Sequence, residues 1–226
     1  MKDFEKMCVD GVIYTVNESE AEVVGSKDDI TDLVIRDSYD GYKVTSIAKD
    51  AFRGCEMLES VTIPGSIKRI EMGVFSFLKS LKNVKIMEGV EVIDDNAFWC
   101  SNIENITIPN SIKNLGDIFG ITNHKHLNYY EYDNGYYIGN DDNPFLVLVK
   151  AKDQKVIEKC EINEKCRFIL PCAFLDCPKL KSIHIPKNII QVGYSAFSDC
   201  TIYCKKDTDF TNWDKEWCED CQVIYE

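Results

Sequence analysis

Leu58-Glu-Ser-Val61-Thr-Ile63-Pro64-Gly-Ser-Ile67-Lys-Arg-Ile70-Glu-Met-Gly-Val-Phe75 is the stretch whose reading decides the fold, because it returns along the chain with the same spacing. Leu81-Lys-Asn-Val84-Lys-Ile86 opens a second copy that closes at Ala97-Phe98. Ile103-Glu-Asn-Ile106-Thr-Ile108-Pro109 opens a third, closing at Phe119, and Leu180-Lys-Ser-Ile183-His-Ile185-Pro186 opens another, closing at Ala196-Phe197. Ile157-Glu-Lys-Cys160-Glu-Ile162 begins a degenerate copy ending at Ala173-Phe174. The closing phenylalanines, counted from Phe52, fall 23, 23, 21, 55 and 23 residues apart. The long gap divides at Leu127-Asn-Tyr-Tyr130-Glu-Tyr132, which reads as one more copy carrying an insertion.

A recurrence near two dozen residues is the signature of stacked turns, since each unit is too small to bury its own apolar face. Within each copy, V-x-I alternates inward and outward as a half-buried strand does. Pro64, Pro109 and Pro186 end that strand at one register, because proline cannot donate to a ladder. I-x-x-I then lines a second inward face, and Phe closes the turn. The expected fold is a β-rich solenoid with a period of about 23, in which neighbouring turns complete one another's core. A β-sandwich would need no proline and Ala-Phe recurring in register.

The same residues resemble the BspA-like leucine-rich repeats. The resemblance rests on the I-P-x-x-I steps at Ile63–Ile67, Ile108–Ile112 and Ile185–Ile189, and on Ala-Phe-x-x-Cys at Ala51–Cys55, Ala173–Cys177 and Ala196–Cys200, with a shortened form at Ala97–Cys100. The insert of about 133–153 is similar to a hairpin common in that family, and residues 200–226, with Trp213 and the final Cys221-Gln-Val-Ile-Tyr, are similar to its terminal cap. A single domain is expected: an N-terminal cap over 1–46 with a hairpin turn at Asp40-Gly41 between Leu33–Ile35 and Val44–Ile47, repeats over 47–199, and a C-terminal cap over 200–226. A non-enzymatic module that binds another protein through its strand face and hairpin insert is expected, and the resemblance implies attachment to a cell surface or adhesion to a host protein.

Composition narrows the partners. Lysine and arginine number 26 against 38 acidic residues, a net charge of −12, which repels phosphate backbones and excludes a general nucleic-acid binder. The longest clean apolar run, Phe145–Val149, is far short of the roughly 20 residues of a membrane span. Met1-Lys-Asp-Phe-Glu-Lys has no apolar signal-peptide region, so this stretch by itself suggests a cytoplasmic chain, in tension with the surface placement that the resemblance implies.

The outward strand positions form two columns that constitute the candidate binding surface: Ser60, Asn83, Asn105, Tyr129, Lys159 and Ser182 in one, Thr62, Lys85, Thr107, Glu131, Glu161 and His184 in the other. Stacked side chains on a rigid sheet make an extended recognition face, although short polar residues also suit a merely solvated strand. The insert aromatics Tyr129, Tyr136, Tyr137 and Phe145 favour recognition, because exposed tyrosines anchor interfaces.

Eleven cysteines are the remaining chemistry. Cys55, Cys100, Cys177 and Cys200 follow the Phe anchors by two or three residues, so they read as a stacked ladder of small buried hydrophobes or as register-matched disulfide partners. Cys160 and Cys166 stand at core positions. Cys200, Cys204, Cys218 and Cys221 are a candidate four-thiol zinc set, though Cys200 and Cys204 already have repeat and cap roles. His124, His126 and His184 suggest no catalytic pairing, and Asp141-Asp142 reads as a hairpin tip in preference to a calcium loop. No enzyme activity and no cofactor are expected; the alternative functions are a segment of a longer array without a ligand of its own and a zinc or redox site at the C-terminal cysteines.

Overall fold

The computed structural model describes residues 7–120 and 125–226, and they divide into two compact units, Met1–Leu127 and Asn128–Glu226. Both are built from strands stacked in parallel.

In the first unit, Asp32–Val34, Ser60–Ile63, Asn83–Ile86 and Asn105–Thr107 form one four-stranded parallel sheet. Leu33, Val61, Val84 and Ile106 lie opposite one another, so equivalent apolar residues of successive copies meet in register. A second parallel sheet joins Arg69–Ile70, Val92–Ile93 and Asn114–Leu115, aligning Ile70, Ile93 and Leu115. The third side of each turn is irregular, yet it is also bonded to its neighbour: Phe75 N–H donates to Ala97 O at 2.9 Å and Phe98 N–H to Ile118 O at 2.9 Å. Each copy therefore satisfies its backbone through the adjacent copy on every side, as a turn without internal ladder bonds must.

Inside, Phe52, Phe75 and Phe98 form a stack with ring centroids 5.0 and 5.6 Å apart and planes within 12°. All three are essentially inaccessible to solvent. The corners around them use left-handed backbone at a fixed offset: two residues before and two after the ring, at Asp50 and Gly54, Gly73 and Phe77, Asn96 and Cys100. Close stacking also demands Gly65, where a Cβ would lie 1.8 Å from the carbonyl oxygen of Glu88 in the next turn.

The second unit repeats the plan. Lys159–Glu161, Ser182–His184, Thr201–Cys204 and Gln222–Tyr225 make its parallel sheet, with Cys160, Ile183, Ile202 and Val223 in register. Phe174 and Phe197 stack at 5.4 Å. A second sheet starts as an antiparallel hairpin, Tyr130–Tyr132 with Gly135–Ile138, continues antiparallel through Val147–Ala151, and only then becomes parallel at Phe168–Ile169 and Gln191–Val192.

Two expectations shift at the ends. The Asp40-Gly41 turn forms, with both residues at positive φ, but it joins Ser38–Tyr39 to Tyr42–Ile47. Leu33, expected as its partner, belongs instead to the first strand of the parallel ladder. Residues 200–226, expected to replace further repeats, contribute two more strands to the second unit's ladder, with the edge-on pair Trp213 and Trp217 in the segment between them.

Candidate interaction surface

The outward columns form within each unit, and they are longer than the repeat pattern suggested. In the first unit Ser60, Asn83 and Asn105 are aligned, as are Thr62, Lys85 and Thr107. Asp32 heads the first column and Val34 the second. The signal was present: Asp32-Leu33-Val34-Ile35 has the same alternation as Ser60-Val61-Thr62-Ile63, without the proline that marks later copies. Ser60 Oγ donates to Asp32 Oδ1 at 2.6 Å, and Asn105 Nδ2 donates to Asn83 Oδ1 at 2.8 Å. The Ser60 and Thr31 hydroxyls hold the Asp32 carboxyl below its ordinary pKa. Val34 remains 56% exposed, an apolar residue at the end of a polar face.

In the second unit Lys159 and Ser182 share a column with Thr201 and Gln222, and Glu161 and His184 share one with Tyr203 and Ile224. The imidazole of His184 lies flat on the Tyr203 ring, with centroids 4.7 Å apart and planes 10° from parallel. Both faces carry charged residues, but this one adds the stacked His184 and Tyr203 rings where the first unit's has amides and hydroxyls.

Tyr129 and Glu131 do not join these columns. The chain reverses at Asp133-Asn134, with Asp133 at φ 46°, so Tyr130–Tyr132 runs antiparallel to Gly135–Ile138 in the other sheet. The turn itself meets the Lys159–Glu161 edge: Asp133 Oδ2 accepts from Glu161 N at 2.8 Å, and Asn134 Nδ2 donates to Lys159 O at 2.8 Å. Two side chains thus perform there the role of a preceding strand's backbone.

Tyr129 and Glu131 instead help build a separate patch. The Tyr129 and Tyr136 rings lie 4.9 Å apart, and Lys150 Nζ is 5.1 Å and 5.7 Å from their centroids. Glu131 pairs with Lys152. Burial lowers the Lys150 pKa, so its ammonium is partly stripped of water and balanced by the ring faces. Beside it, a cleft of about 390 Å³ is lined by Tyr136, Lys150, Asp153, Gln154, Lys155 and Val156. Of the other insert aromatics, Tyr137 is fully buried and Phe145 is packed edge-on against it, so they serve the core; Tyr130 and Tyr132 are the exposed ones. Strand alternation explains this: Tyr137 points inward because Tyr136 points out.

The cysteines are all thiols. Cys100 leaves the expected ladder. It occupies the left-handed corner at φ 57°, and buried Ser101 takes the inward slot, accepting from Leu78 N at 3.2 Å and donating to Phe75 O at 2.8 Å. Cys160 and Cys166 are core residues, and burial pushes both thiols up to about 12. The four C-terminal thiols do not converge. Cys200 and Cys204 lie on one extended segment, about 13 Å apart at strand rise, and Cys204 is paired with Thr208. Among the described residues no group of three or more His, Cys, Asp or Glu side chains is arranged to hold a metal ion. His126 is exposed on a turn, His124 lies outside the described residues, and Asn140 Oδ1 organises the Asp141-Asp142 tip by accepting from Asp142 N and Asn143 N. No helix of the described residues is long and apolar enough to cross a membrane.

Parallel ladders with an inward V-x-I or its equivalent, a stacked phenylalanine and polar outward columns define a leucine-rich-repeat protein. A family model, BspA type leucine rich repeat region, matches residues 27–140 and 152–222 with six copies, and the chain belongs to that family. Among solved structures, the T. pallidum leucine rich repeat protein TpLRR is similar at 16% identity and a TM-score of 0.51, covering 88% of this chain and 86% of that one. A leucine rich cell surface protein from Faecalibacterium prausnitzii is 18% identical, with coverage of 87% and 74% and a TM-score of 0.40. The pneumococcal vaccine antigen PcpA is 14% identical over 100% of both chains at a TM-score of 0.41. The comparison with curated proteins gives no match.

Proposed function

We propose that the chain is a non-enzymatic protein-binding module that takes its partner on the outward strand columns and on the Tyr129–Tyr136–Lys150 patch. The observation that carries this reading is the patch. Two tyrosine rings beside an open cleft, with a partly desolvated lysine held over them, present the amphipathic aromatic surface that is enriched where interfaces are anchored. Family membership supports protein recognition in general, and adhesion to a host protein at a cell surface is the form of recognition we favour.

The internal pairing of Ser60 with Asp32 and of Asn105 with Asn83 supports a second reading, a structural segment whose face is satisfied without a ligand. The test is affinity capture with quantitative mass spectrometry, comparing the intact chain with Tyr136→Ala/Lys150→Ala and with Asn83→Glu/Lys85→Glu. Each variant is checked for an unchanged melting temperature. Loss of the same captured protein from a folded variant supports binding at that face. Capture profiles indistinguishable from those of the intact chain support the segment reading.

A further inference from the structure

The second unit stacks its cysteines in a way the repeat pattern did not reveal. Phe197 pairs with Cys218 across neighbouring parallel strands, and Thr201 pairs with Gln222. Cys221 therefore occupies in the last turn the slot that Cys200 occupies in the turn before it, three residues after the ring position. Directly opposed residues of neighbouring strands are about 4.8 Å apart, inside the Cα range a disulfide requires. The Sγ atoms of Cys200 and Cys221 already lie 3.8 Å apart. Cys200 is buried; Cys221 is partly accessible.

We propose that Cys200 and Cys221 form a reversible inter-turn disulfide, a thiol-modification site whose reagents are small organic disulfides of the glutathione class. The accessible Cys221 thiolate attacks one sulfur of the reagent. Its S–S bond breaks, and one thiolate leaves and takes a proton from water. Cys200, having released its proton, then attacks Cys221 Sγ and expels the second thiolate. Two protein thiols are oxidised by two electrons, and one reagent disulfide is reduced to two thiols. Burial and the neighbouring Cys221 and Cys218 thiols raise the Cys200 pKa, so the closing step quickens as pH rises.

The bridge pins the outermost strand of its sheet. Among the described residues Gln222–Tyr225 pairs with Thr201–Cys204 alone, and residues 201–220 between the two cysteines carry Trp213 and Trp217, which pack edge-on at 4.8 Å, with Trp217 also edge-on to Phe197 at 5.9 Å. In the thiol state this edge is held by backbone bonds and the tryptophan cluster. In the bridged state the loop is closed covalently, which restricts the unfolded chain.

Peptide mapping of the whole chain after incubation with excess glutathione disulfide, with the remaining thiols alkylated after the incubation and before digestion, tests the assignment without any substitution. The expected result is a Cys200–Cys221 cross-link that dithiothreitol removes. With it come slower hydrogen exchange across Gln222–Tyr225 and a melting temperature raised by about 5 °C or more. Cys218→Ser should keep the bridge, and Cys221→Ser should abolish it. A dominant Cys218–Cys221 cross-link, or glutathione left on Cys221 with no internal bridge, would overturn the proposal.

Discussion

The two units solve the same problem, how to begin a ladder, with different means. In Met1–Leu127 the first strand of the repeat ladder, Asp32–Val34, belongs to a turn of the repeat, and the antiparallel strands from Met7 to Ser26 accompany it, the last of them pairing in parallel with Tyr42–Ile47. In Asn128–Glu226 the strand Lys159–Glu161 has no parallel predecessor in its sheet among the described residues, and the side chains of Asp133 and Asn134 bond its edge. The interiors differ as well. Phe75 has a stacked ring on each side, whereas Phe174 has one at Phe197, and the second unit fills its core columns with Cys160 and Cys166. Begun by a whole turn, a ladder is regular and its face simple; begun by a hairpin, it gains a turn that can carry exposed aromatics.

The comparison is broken most severely at the rings. Phe75→Ala removes a side chain sandwiched on both faces and should cost about 4 kcal/mol, roughly 1 kcal/mol more than Phe174→Ala. Urea unfolding of the two variants measures the difference, and equal losses would show that the spine is no more demanding in one unit than in the other. Next is Ser101→Ala, which leaves the Leu78 amide without its acceptor and should cost about 2 kcal/mol, while Cys55→Ala, whose thiol fills the same slot two turns earlier, costs nearer 1 kcal/mol.

Asp133→Ala tests the hairpin's substitute for a strand. The loss expected is about 1.5 kcal/mol, with faster amide exchange at Glu161, whose N–H donates to the carboxylate. The smallest effect is electrostatic. The depressed pKa of Asp32 means its contribution is present above the unfolded value and lost as pH falls through the folded one. Ser60→Ala removes the main cause, so an NMR titration should find the Asp32 pKa moved upward and the acid-side loss reduced.

Legibility follows from how local each signal is. The V-x-I alternation and the ring spacing at Phe52, Phe75, Phe98, Phe174 and Phe197 are set by residues within one turn, and they place the core as found. Where a side chain's position depends on a corner or a reversal, spacing alone misleads. Cys100 and Ser101 are neighbours, and only the left-handed corner decides which one faces inward. Tyr129 and Glu131 fit the outward alternation, but Asp133-Asn134-Gly135 is a turn sequence that folds their strand back into another sheet. The Cys221 register was hidden because its turn has Cys218 where the others have phenylalanine.

A turn of this fold is stable only through the turns on either side. A double-mutant cycle on Phe75 and Phe98, whose rings lie 5.6 Å apart, tests it most directly. Coupling of about 1 kcal/mol between Phe75→Ala and Phe98→Ala is the predicted result. Additive losses, within the error of the unfolding measurement, would contradict it.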